Sequence, residues 1–197
     1  MANWVKSYVR LKGRKEELDK LESMMTFKYG GENYEAEQNF FNSLVPIKDF
    51  AMSDLREWLY ENWGTCTEAD ELWYCRESEE LLDLAFETAW NTPLQIFKAI
   101  TRQFPSIVFG GYYADEVLGE NCGILMGNKD YAGKMILGLR TKPHIRFASH
   151  VWEMTADEKY VGKSFEKLLG RRVPKEFIEV GLIEEETELS TGYPQAE

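Results

Sequence analysis

The stretch LLDLAFETAWNTPLQIFKAITRQFPSIVFGGYY, residues 81–113, decides the fold. It begins by alternating, with Leu82, Leu84, Phe86, Thr88 and Trp90 on one side, the period of a half-buried strand. Asn91-Thr92-Pro93 then starts a helix, with a proline in its first turn. Leu94, Ile96, Phe97, Ile100 and Phe104 supply the helix's apolar stripe, and Pro105 ends it. Ser106 to Tyr113 reads as a second strand, whose Gly110-Gly111 pair predicts a bulge or bend. The whole is a strand-helix-strand unit.

The flanks complete a pattern. Upstream, Asn3 to Leu11 alternates, with Val5, Val9 and Leu11 opposed to Lys6 and Arg10. Gly13 breaks that strand, and Leu18, Leu21 and Met25 then recur at helical spacing. Residues 26–38, with Gly30-Gly31, read as a loop, and Phe40 to Phe50, interrupted by Pro46, as a packed irregular segment. Ser53-Asp54 caps a helix through Asn62 that Gly64 ends. Glu71 to Arg76 is a further strand, joined to Leu82 by a hairpin through Ser78-Glu79-Glu80. After Tyr113 come strands over Cys122–Met126 and Met135–Leu139, helices near 155–169 and 174–180, and an acidic tail.

The order β-α-β-β-α-β predicts an α+β chain: a ferredoxin-like antiparallel sheet over residues 1–140 with helices on one face. An insertion occupies about 26–66 and a mainly helical extension spans 141–197. Two helices then cover one face of the sheet and leave the other available.

Charge narrows the function. The 197 residues carry a net charge of -11, against the electrostatics of a general nucleic-acid or anionic-membrane binder. No apolar run approaches the roughly 18–20 residues of a membrane span, and MANWVKSYVR lacks a signal-peptide core. Three cysteines, Cys66, Cys75 and Cys122, cannot all pair, which suits a reduced, intracellular protein.

Three segments carry a resemblance: Asn3-Trp4-Val5 with Val9, Leu11 and Gly13; Glu61-Asn62-Trp63-Gly64-Thr65; and Phe86 through Pro93. In this order, over about residues 1–130, they resemble the Api92-like, or YubB ferredoxin-like, family. The sequence departs from it at Val5, where the family commonly has a cysteine. The resemblance implies a ferredoxin-like fold, a bacteriophage or conjugative-plasmid origin and hence the cytoplasm of a bacterial host. It brings no catalytic residue and no cofactor.

The residues themselves offer little catalytic chemistry. His144 and His150 lie in KPHIRFASHVW; if that stretch is a strand, they share a face with Arg146 and Trp152. Two histidines fall short of a catalytic zinc site, and Glu153 would face away, so no metal is expected. The cysteines sit in apolar company and read as buried thiols. A non-enzymatic protein is expected.

The segment 51–90 is the informative one, with 11 acidic and 2 basic residues among aromatics. Trp58, Tyr60, Trp63, Glu68, Asp70, Glu71 and Trp73 are its candidate partner-binding residues, on a surface suited to a basic host protein. Such a surface can imitate nucleic acid and inhibit a host defence complex. A second hypothesis is a nucleotide-signal binder that holds phosphates at Lys134, Arg140, Lys142 and Arg146. A third is RNA held on the sheet.

Overall fold

β1 (Trp4–Lys12) runs through the middle of a six-stranded sheet. It pairs antiparallel with β5 (Leu81–Ala89) on one side and β6 (Val108–Asp115) on the other. With β4 (Asp70–Ser78), β7 (Gly123–Gly127) and β8 (Ala132–Ile136), the strand order is β4-β5-β1-β6-β7-β8. α1 (Lys15–Ser23) connects toward β4, and α4 (Leu94–Gln103) joins β5 to β6. Strands β4-β5-β1-β6 with these two helices are the ferredoxin-like arrangement, and β7 and β8 extend it past β6. This computed structural model describes residues 3–25, 28–29, 36–37, 39–47, 54–136 and 142–153. The helices expected near 155–169 and 174–180, the tail and Arg140 lie outside the described residues.

Strand periodicity sorts the side chains into two layers. Val5, Val9 and Leu11 of β1 join Leu82, Leu84 and Phe86 of β5 and Phe109 and Tyr113 of β6 in the larger core. Leu18 and Leu21 of α1 and Ile96, Phe97 and Ile100 of α4 close it. Phe97 stacks between Phe86 and Phe109, with centroids at 6.2 and 5.0 Å. Each such buried side chain contributes about 1.5–3 kcal/mol. The insertion packs on this side too, through α2 (Phe40–Leu44) and α3 (Leu55–Asn62). Gly64, at φ 84°, ends α3 as expected, its N–H returning to the carbonyls of Leu59 and Tyr60.

The opposite face is not left open. The segment read as a strand around the two histidines is α5 (Lys142–Glu153). Phe147, Ala148 and Val151 recur one and four residues apart, which is helical spacing, and they bury Tyr8, Tyr112 and Ile124. Phe147 meets Tyr112 nearly edge-on at 6.2 Å. Beside this layer the sheet buries charge. Asp83 accepts from Tyr8 Oη at 2.9 Å and from Arg10 Nε at 2.6 Å, in a pair the β1–β5 register sets opposite each other.

Other expectations shift in detail. Residues 26–38 hold a two-stranded ribbon, β2 (Lys28–Tyr29) with β3 (Ala36–Glu37). The irregular segment contains α2, and the last strand begins earlier, at Ala132. Gly110-Gly111 is no bulge, because β6 keeps register with β1 throughout. Gly111 instead permits close approach: a Cβ there would lie 2.3 Å from the Tyr8 carbonyl oxygen. Trp90 does not continue the β5 alternation; the strand ends at Ala89 and Trp90 adopts a left-handed φ of 71°.

Candidate functional site

The segment 51–90 separates its aromatics from its acids. Trp63 is 2% exposed, edge-on to Phe41 and Trp58, and its indole N–H donates to the Val45 carbonyl at 2.9 Å. It belongs to the core rather than to a partner surface. Trp58 packs half-buried against the same core, and Tyr60 sits half-buried under the Arg56 guanidinium. Glu68 is committed as well. Its carboxylate accepts from the backbone N–H groups of Phe41 and Asn42 at 2.8 and 2.7 Å, closing the first turn of α2. Burial pushes its pKa up. Of the seven expected residues, Asp70 and Glu71 are exposed and Trp73 is half-buried.

The three motif segments also meet in one place, and they meet as architecture. A Cβ on Gly64 would lie 3.2 Å from the Leu94 nitrogen, so the loop after α3 seats on the start of α4. Thr65 Oγ1 donates to the Ala89 carbonyl and Thr67 Oγ1 accepts from the Ala89 N–H. Trp90 N–H donates to the Asn3 carbonyl, and Ser7 and Thr92 hydroxyls share a buried hydrogen bond.

Near that junction the register assembles carboxylates from separate parts of the sequence. Asp70 lies opposite Glu87 across β4 and β5, and Glu87 opposite Lys6 across β5 and β1. Glu71, at φ 48°, occupies the register shift between Asp70 and Trp73. Glu116 follows β6, tied to Trp4 through both its backbone N–H and its carboxylate. Burial, then the charges of Glu71, Asp70 and Glu116, push the Glu87 carboxyl up, against the pull of Lys6. Lys6 is itself engaged, donating to the Trp152 carbonyl at 3.2 Å with its ammonium 5.9 Å from that ring. Trp73 pairs with Ala85, two residues before Glu87, and so shares its face. The result is an acidic pole with Trp73 on the face of Glu87.

Glu87 and Glu116 were not among the residues expected from sequence. Only the register brings Glu87 against Asp70, and Glu116 lies in a stretch whose own net charge is positive.

The expected basic cluster is divided. Lys134 on β8 pairs with Leu125 and therefore faces the larger core, whereas Lys142 and Arg146 are exposed on α5, against the other face. His144 and His150, six residues apart on a helix, diverge by about 120° around its axis. Among the described residues no three His, Cys, Asp or Glu side chains are grouped to hold a metal ion. Cys122 is buried, while Cys66 and Cys75 are half-buried. No described helix is long and apolar enough to cross a membrane.

Comparison with known proteins agrees with this architecture. Residues 71–136 match the family model described as the ferredoxin-like domain in Api92-like protein. The chain is also similar to the crystal structure of protein api92 from Yersinia pseudotuberculosis, with a TM-score of 0.52 at 7% identity. That match covers 68% of this chain and 98% of the other, a likeness of fold. No curated protein matches the sequence.

Proposed function

We propose that this chain, whose residues 71–136 are a ferredoxin-like domain of the Api92-like family, is a non-enzymatic interaction protein of phage or plasmid origin. It binds a basic host protein through its acidic pole and so blocks a nucleic-acid-targeting defence complex. One observation carries this reading. Asp70 and Glu71 at the start of β4, and Glu57 and Glu61 on α3, are exposed and enter no ion pair among the described residues. The Glu87 carboxyl stays pushed up, by burial first and then by its acidic neighbours, although Lys6 lies opposite it and pulls the other way. A one-signed field of this kind steers a basic partner and raises its association rate. Trp73 adds a half-exposed anchor of the type that dominates binding energy.

RNA on the sheet is the weaker reading, since α5 covers the middle of the face it would use. The inhibitory role is tested by plating a restricted phage on defence-bearing bacteria that express the protein. Plaques should be restored by the native chain and not by the combined Asp70→Lys, Glu71→Lys, Glu116→Lys variant. Equal restoration by both would remove the acidic pole from the mechanism.

A further inference from the structure

We propose that a second site, formed by Lys134 and Asn91 with Tyr113 beneath and Trp90 beside them, binds a small ligand that joins an anionic group to an aromatic ring. The phosphate or carboxylate would sit on the Lys134 ammonium and the ring against the Trp90 indole. It is independent of the acidic pole.

Lys134 is the first observation. Its ammonium is half-buried, enters no ion pair among the described residues, and donates to the neutral Asn91 Oδ1 at 2.5 Å. An ammonium out of water without a carboxylate is costly, and an incoming anion supplies the missing charge. Burial lowers its pKa accordingly. The face of Tyr113 lies 5.6 Å below the ammonium, and the hydroxyl of that fully buried ring has no hydrogen-bond partner. A buried hydroxyl left unpaired is an unused donor on the ring that underlies the ammonium.

The backbone gives an independent observation. Trp90 and Asn121 both hold left-handed φ values, 71° and 30°, and Asn121 Nδ2 donates to the Trp90 carbonyl at 3.1 Å. Such strain persists where the surroundings over-determine it, and it gathers at ligand sites. Here it holds a bulky indole, 40% exposed, one residue from the amide that grips Lys134. Glycine would adopt that backbone freely. A tryptophan kept there supplies a stacking surface of the kind that holds nucleobases.

The test is a titration of the 15N-labelled full chain with adenosine 5′-monophosphate, adenosine and inorganic phosphate, following the Trp90 indole signal, identified through Trp90→Phe, and the β8 amides. The monophosphate should move both sets of signals, phosphate the β8 set alone, and adenosine should bind at least fivefold more weakly. Lys134→Met should weaken the monophosphate at least fivefold, with Lys134→Arg restoring most of the loss. Trp90→Gly, which suits the backbone, should keep phosphate binding and lose the preference for the monophosphate. Absence of shifts at millimolar monophosphate, or a Lys134→Met loss below fivefold, overturns the site. Self-association of Lys134→Met with no ligand effect also overturns it, making Lys134 an inward-pointing guard of an edge strand.

Discussion

Asp83 shows how much a single side chain carries. Its carboxylate neutralises Arg10 and takes the Tyr8 hydroxyl on a face from which water is excluded, with both side chains at most 3% exposed. Removing one partner of such a pair strands the other charge, so Asp83→Ala should cost about 3–5 kcal/mol by urea denaturation. Glu68 is a smaller case. Glu68→Ala frees two backbone donors at the start of α2 and should cost about 1–2 kcal/mol without changing partner binding. Glu87 differs, because neighbouring carboxylates add to burial in raising its folded pKa above the ordinary 4.5, where backbone donors at Glu68 oppose the rise. In the window above 4.5 the folded state binds more protons than the unfolded one, so stability falls as pH rises. Glu87→Gln should therefore be more stable than the native chain at pH 7, and the gain should vanish below pH 4.5. A thermal melt series across pH checks both points, and a destabilised Glu87→Gln at pH 7 would contradict the repulsion described for the pole.

At the scale of elements, α5 is the piece whose role differs most from what periodicity suggests. Phe147→Ala should cost about 3–5 kcal/mol if α5 is integral to the sheet. Hydrogen exchange should then rise along α5 and β6 together. Loss of protection on α5 alone would mean a loosely attached helix. The sequence made the central strands and both covering helices legible, since Leu82, Leu84 and Phe86 alternate and Ile96, Phe97 and Ile100 do not. It made α5 hard to read because over so short a run Ile145 and Phe147 fit a strand period while Ile145 and Ala148 fit a helical one. The left-handed turn at Trp90 was hidden for another reason: the alternation before it runs on without a glycine to mark the break. The acidic pole was legible only by half. Asp70 and Glu71 stand in an acidic run, but Glu87 and Glu116 join them through strand register, which single-sequence periodicity does not fix.

For the whole molecule, the net charge of -11 is unevenly held, and the sheet gathers part of it at one end beside Trp73. A binding mode built on that field must weaken with salt, mainly through association rate. Binding through the acidic pole is tested by capture from a bacterial lysate at physiological salt, comparing the native chain with the folded Asp70→Lys, Glu71→Lys, Glu116→Lys variant. The native chain should retain a basic, nucleic-acid-binding protein, release it as salt rises, and lose it to added duplex DNA, while the variant retains none. Retention of the same protein by both chains, or by the native chain independently of salt, would contradict an acidic pole that acts by its charge.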